Sequence, residues 1–213
     1  MIRCLAVPVD AMETVSTMTV DGSEEKVAVG GQNTALLDWS RDGRWLLYQT
    51  FGSNLMDVFS VDLQGDHKPS PVLTSRFNEG RARFSPDGHW IAYNSDESGQ
   101  FEVYVTAFPP SPSSGKWQIS TRGGIEPCWS RDGKELFYLG PDGRFMSVPI
   151  SEGEAFNPGT PQPLFRVSTE SGPRRNVYCP SPDGKKFLFL LPYGDNATPM
   201  TVVVNWRAGK GGK

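Results

Sequence analysis

The chain has little of what most enzymes and most nucleic-acid binders need. Its 213 residues hold two histidines, His67 and His89, and three cysteines, Cys4, Cys128 and Cys179. No C-x-x-C pair occurs, which excludes the zinc-ribbon and thioredoxin-like spacings. There is no Gly-x-Ser-x-Gly elbow, no Walker loop, and no His-Arg-Asp or Asp-Phe-Gly string, so hydrolase and kinase machinery is missing from this sequence. Basic residues do not dominate: 21 Lys and Arg stand against 24 Asp and Glu, a net charge of −3. The pairs Arg174-Arg175 and Lys185-Lys186 are too short for a basic stripe, so no nucleic-acid partner is expected. No apolar run approaches the roughly 18 residues needed to span a bilayer, and no membrane insertion by this chain is expected. Met1–Val9 is short, contains Pro8 and meets Asp10, which makes it a poor signal peptide. The compartment stays open. No window has helical periodicity.

What is abundant is punctuation, with 23 glycines and 18 prolines. They punctuate a repeat. Arg83-Phe84-Ser85-Pro86-Asp87-Gly88-His89-Trp90-Ile91-Ala92-Tyr93 has counterparts at Asp38–Tyr48, Cys128–Tyr138 and Cys179–Phe189. The Asp-Gly pairs are spaced by 45, 45 and 51 residues. Pro or Arg before Asp-Gly makes a tight turn, because Asp bonds back to the local backbone and Gly accepts positive φ. Each copy therefore reads as strand, hairpin turn, strand. The second strands, such as Leu46-Leu47-Tyr48 and Leu136-Phe137-Tyr138, do not alternate with polar residues. An apolar run of that length is covered on both faces. A period of roughly 40–50 residues with several strands per unit is the signature of a β-propeller blade. The expected fold is all-β, a propeller of four-stranded antiparallel blades.

The units fall at residues 32–74, 75–121, 122–170 and 171–208, the last lacking its outer strand. Residues 209–213 read as a disordered tail. Residues 1–31 hold the strand candidates Ile2–Val7, Val15–Val20 and Lys26–Val29, which make a partial blade or ring-closing strands. Two arrangements satisfy this arithmetic. Either the N-terminal strands close a ring of four or five blades, or the units form the C-terminal arc of a larger ring. The second is the expectation, because residues 1–20 resemble an interrupted blade. An open arc exposes apolar blade faces and favours self-association.

Candidate chemistry is sparse. His89 occupies a solvated turn slot, and His67 lies in a polar loop. Each repeated aspartate, Asp42, Asp87, Asp132 and Asp183, sits in its own turn, so no calcium shell and no metal site is expected. No cofactor is implied. Cys128 and Cys179 share a repeat position and are expected as buried or half-buried thiols, with a disulfide between them left open. Trp39, Phe84 and Trp129 are expected to pack between blades. Trp45 and Trp90 align with charged residues, so they are expected to be partly exposed, as a contact patch. The loops entering the innermost strands carry Asn33, Glu79, Arg81, Glu126, Arg174, Arg175 and Asn176. These polar groups ring one channel mouth and suit a peptide or small polar ligand.

Trp39–Tyr48 and Phe84–Tyr93 resemble the repeats of the TolB propeller. Longer strings carry a finer resemblance: Phe77-Asn78-Glu79-Gly80, Asn94-Ser95-Asp96-Glu97-Ser98-Gly99, Gly115-Lys116-Trp117-Gln118-Ile119-Ser120-Thr121 and Thr201-Val202-Val203-Val204-Asn205-Trp206. They are similar to the C-terminal propeller of bacterial receptor-type serine/threonine protein kinases. That resemblance implies a sensor or binding module held on the extracytoplasmic side by a membrane span outside the propeller. Kinase activity does not carry over, since its motifs are missing here. The expected function is therefore a non-catalytic module for a protein or peptide partner, with a detached kinase sensor as the alternative. A propeller-based lyase or hydrolase is the least supported reading.

Overall fold

Four copies of one turn organise the chain. In the first, Gly43 adopts φ 79° and its N–H bonds to the Ser40 carbonyl at 2.9 Å. The Ser40 hydroxyl donates to Asp42 Oδ1 at 2.5 Å and accepts from the Trp45 N–H at 2.7 Å. Asp42 Oδ1 also accepts the Arg44 N–H at 3.0 Å. The same set recurs at Ser85–Trp90, Ser130–Glu135 and Ser181–Lys186. Each serine thus ties the aspartate to the start of the next strand, and hairpin register follows from the turn.

The computed structural model describes residues 15–18, 24–27, 33–52, 55–111, 113–151, 155–167, 177–190 and 203–204. Among them every regular element is a strand. β1 (Val15–Met18) and β2 (Glu24–Val27) form an antiparallel pair. The candidate Ile2–Val7 lies outside the described residues. The first full unit is the meander β3 (Thr34–Trp39), β4 (Trp45–Phe51), β5 (Met56–Asp62) and β6 (Pro69–Leu73). The second is β7 (Glu79–Phe84), β8 (Trp90–Ser95), β9 (Glu102–Ala107) and β10 (Lys116–Gln118). The third runs β11 (Ile125–Trp129), β12 (Glu135–Leu139) and β13 (Arg144–Ser151), with β14 (Asn157–Pro158) and β15 (Gln162–Arg166) both pairing with β13. The fourth has β16 (Tyr178–Pro180), β17 (Lys186–Phe189) and β18 (Val203–Val204).

Alternation within the apolar strands assigns successive side chains to opposite neighbours. Leu47 and Val58 of the first unit pack on Phe84, Ile91 and Tyr93 of the second. Ala92, Val103 and Val105, on the other face of the second unit, pack on Trp129, Leu136 and Tyr138 of the third. Phe137, Leu139 and Phe145 then meet Phe187 and Phe189 of the fourth. The second and third sheets are thus layers between two others, which is why their central strands are apolar on both faces. Phe145 is fully buried and contacts Phe137, Phe165, Tyr178, Phe187 and Phe189, with ring centroids 4.8–5.7 Å apart.

The tryptophans depart from expectation. Phe84 and Trp129 are buried, but Trp39 is 37% exposed. Trp45 and Trp90 are half-buried, as their partly exposed slots predict, but neither stands free as a contact patch. Trp45 meets the buried Phe108 edge-on at 5.1 Å, and Trp90 meets Trp117 at 5.4 Å and Phe156 at 5.3 Å. The reason lies in the connections that leave β9 and β13, the third strands of the second and third units. They carry Phe108 and Phe156 over slots that the repeat alone leaves open.

Candidate functional site

The first strands of the full units, β3, β7 and β11, pack beside one another and form the inner wall. Each carries a bulge. In β7 the register slips between Gly80 and Arg83, and in β11 between Ile125 and Cys128. Arg81 and Glu126 sit in these bulges with φ 53° and 56°. Left-handed backbone is costly for side chains of this size and persists only where the surroundings enforce it. Here the enforcement is visible. The Arg81 N–H bonds to Gln49 Oε1 of the first unit at 3.3 Å. The Arg81 guanidinium pairs with the Glu126 carboxylate across the boundary between the second and third units. The Glu126 carbonyl accepts the Tyr178 hydroxyl of the fourth unit at 2.7 Å. A chain of polar contacts therefore runs from the first unit to the fourth at one level of the wall.

A second level lies nearer the Asp-Gly turns. Asp38, Arg83, Cys128 and Cys179 occupy one repeat position, and all four are half-buried. Asp38 accepts the Phe84 N–H at 2.9 Å and faces Arg83 at 3.8 Å. The Arg83 guanidinium donates to the Leu37 carbonyl at 2.5 Å. Burial raises the Asp38 pKa, and Arg83 opposes that rise. Cys128 and Cys179 are thiols. Burial holds the Tyr178 phenol well above its ordinary pKa.

The sequence-predicted residues divide. Arg81 and Glu126 are brought together, but in strand bulges rather than entering loops, and their charges are spent on each other. Glu79 is also in a strand. It is 5% exposed and accepts the Ser75 N–H at 3.0 Å. Burial raises its pKa, with Glu97 and Asp57 adding to the rise. Asn33 is exposed just before β3, with φ 66°, and its carbonyl accepts the Phe51 N–H at 2.8 Å. Arg174, Arg175 and Asn176 lie outside the described residues. Sequence reasoning missed Asp38, Arg83 and Tyr178. The signal for the first two was present, because four residues before each turn aspartate the repeat places Asp, Arg, Cys and Cys. His89 is exposed, 3.5 Å from Asp87, while the His67 ring contacts the Leu63 carbonyl at 3.0 Å. Among the described residues no group of three His, Cys, Asp or Glu side chains is placed to hold a metal ion.

Layered antiparallel sheets around a wall of first strands define a β-propeller. No protein-family model matches the chain. An uncharacterized protein of Agrobacterium fabrum is 30% identical over 163 residues, covering 71% of this chain and 53% of that protein. The chain thus spans about half the length of the curated relative it matches. Among solved structures it is similar to TolB from Acinetobacter baumannii, with a TM-score of 0.63 and 15% identity over 86% of this chain and 44% of that one. It is also similar to the Cps50 (Swd1) β-propeller domain of Myceliophteria thermophila, with a TM-score of 0.57 and 16% identity over 92% and 71% of the two chains. The fold is a TolB-like β-propeller.

Proposed function

We propose that this propeller is a non-catalytic binding module that holds a peptide or protein segment at the end of its inner wall where β3 and β7 begin. The observation that carries the reading is the pair of left-handed bulges at Arg81 and Glu126, linked across two blades. Strain of this kind recurs where backbone geometry serves a site rather than stability. The ion pair and the Tyr178 bond make the wall stiff, so a partner meets a preformed surface and loses little to ordering it. Exposed Asn33 supplies a polar group at that end, and Arg174, Arg175 and Asn176, which precede β16 in the sequence, are the other proposed contacts.

The test is selection of peptides from a displayed library on the immobilised chain, followed by Asn33→Ala and Arg174→Ala. Selected peptides are expected to bind each variant at least tenfold more weakly, about the loss of one charge-assisted hydrogen bond. Failure to select any peptide, or full binding by both variants, refutes the reading. A narrower reading, in which the propeller is the sensor end of a receptor serine/threonine kinase, rests on the resemblance of strings such as Phe77–Gly80 and Thr201–Trp206. The coding DNA upstream decides it: an in-frame kinase and membrane span support it, and their lack removes it.

A further inference from the structure

We infer a second ligand site, at the opposite end of the inner strands, that takes an acidic peptide segment in which carboxylate side chains flank an aromatic or aliphatic one. Glu79 opens β7 and the Asp87 turn closes it, so the Asp-Gly turns lie at the far end from Asn33. There a groove of about 390 Å³ lies between the turns of the second and third units. That volume is within the range of small-ligand and side-chain pockets. Its floor is aromatic: Trp129 and Phe156 are buried, and Trp90 is half-buried against Phe156.

Two arginines frame this floor. Arg41 reaches across from the first unit, and its guanidinium donates to the Arg131 carbonyl at 3.3 Å. Arg131 projects from the third turn and is exposed. Among the described residues neither forms an ion pair. The turn does not require arginine at this position, because Pro86 and Pro182 fill it in the other two units. Nor is Pro86 incidental to the groove. It is a compact side chain lining the same cavity, between the two arginines in repeat order.

The charge balance favours an anion. Arg41, Arg131 and Lys134 line the groove against Asp87 and Asp132. Both carboxylates are already turned inward on their own loops, each taking a serine hydroxyl and a backbone N–H. The two guanidiniums retain donors suited to bidentate pairing with a carboxylate. A carboxylate on Arg41 and Arg131 places the adjoining side chain over Trp90 and Phe156.

The test uses the full chain and a fluorescein-labelled, acetylated and amidated peptide in which aspartates flank a phenylalanine. Fluorescence anisotropy is read against the same peptide with asparagine in place of aspartate. Binding is expected for the acidic peptide and not for its neutral counterpart, weakening as salt is raised. Arg41→Ala and Arg131→Ala should each weaken it roughly tenfold, with Arg131→Lys in between. Both side chains are on turns outside the core, and circular dichroism checks that the variants stay folded. No binding, or binding indifferent to both arginine substitutions, overturns the site. Loss of binding in Asn33→Ala with none in Arg131→Ala also overturns it, by moving the peptide to the other end. The site stands or falls independently of the reading for the Asn33 end.

Discussion

Replacing Ser130 by Ala tests whether the repeated turn is held by its serine. Ser130 is 3% exposed, and its hydroxyl donates to Asp132 Oδ1 at 2.7 Å and accepts the Glu135 N–H at 2.9 Å. Alanine removes both bonds and leaves the Glu135 N–H without its acceptor at the start of a buried strand. A typical hydrogen bond contributes about 0.5–1.5 kcal/mol, and an orphaned buried donor costs about 1–3 kcal/mol. The expected loss is therefore roughly 2–3 kcal/mol, read from urea midpoints at constant slope. For a chain of this size each kcal/mol lowers Tm by about 2–4 °C. Ser181→Ala removes the same two bonds from a turn whose serine is only half-buried, where water can replace the acceptor. It should cost less than about 1 kcal/mol. The Ser130 hydroxyl also holds the Asp132 carboxyl below its ordinary pKa. A depressed carboxylate stabilises the fold above the unfolded pKa of about 3.9 and loses that contribution as pH falls through the folded value. Ser130→Ala should therefore narrow its gap to the parent chain in acid, below about pH 4. A loss under about 0.5 kcal/mol at neutral pH, or equal losses at Ser130 and Ser181, would refute the reasoning.

Three further outcomes follow from the wall and the core. Arg81→Gly should destabilise less than Arg81→Ala by about 1 kcal/mol in urea unfolding, because both lose the Glu126 pair but only glycine accepts φ 53° freely. Equal losses would mean that the bulge is unstrained. Glu79→Gln should raise the unfolding midpoint at pH 7. Burial raises the Glu79 pKa, so its contribution is present below the unfolded value and is lost as pH rises through the folded one. The two chains should converge below about pH 4, and a constant difference across pH removes the burial argument. Phe145→Ala should cost about 3–5 kcal/mol by emptying the aromatic layer between the third and fourth units. A loss near 1 kcal/mol would mean that the two units do not share a core.

The repeat, the hairpin turns and the two-sided apolar strands were readable along the chain because they are local. Ser, Asp and Gly within four residues make the turn, and alternation within a strand sends side chains to opposite neighbours. β8 begins at Trp90 and β12 at Glu135, where the turn chemistry places them. The polar residues of the inner wall were readable only in part. Glu79, Arg81 and Glu126 were recognisable as polar groups, though expected on the loops entering the inner strands, and nothing local says that Arg81 and Glu126 neutralise each other. Trp45 and Trp90 look exposed by comparison with the charged Glu135 and Lys186. Phe108 and Phe156, which cover them, lie in stretches of irregular length between strands.

Sequence alone thus determined the unit, its strand-turn-strand core and the layered all-β class, because those follow from contacts among neighbours in the chain. Tertiary structure alone decided which charges are spent and which remain. Arg81 meets Glu126 over 45 positions, and Arg41 reaches Arg131 over 90. Such pairings depend on how the sheets stack about their axis, a relation that spacing within one unit does not encode.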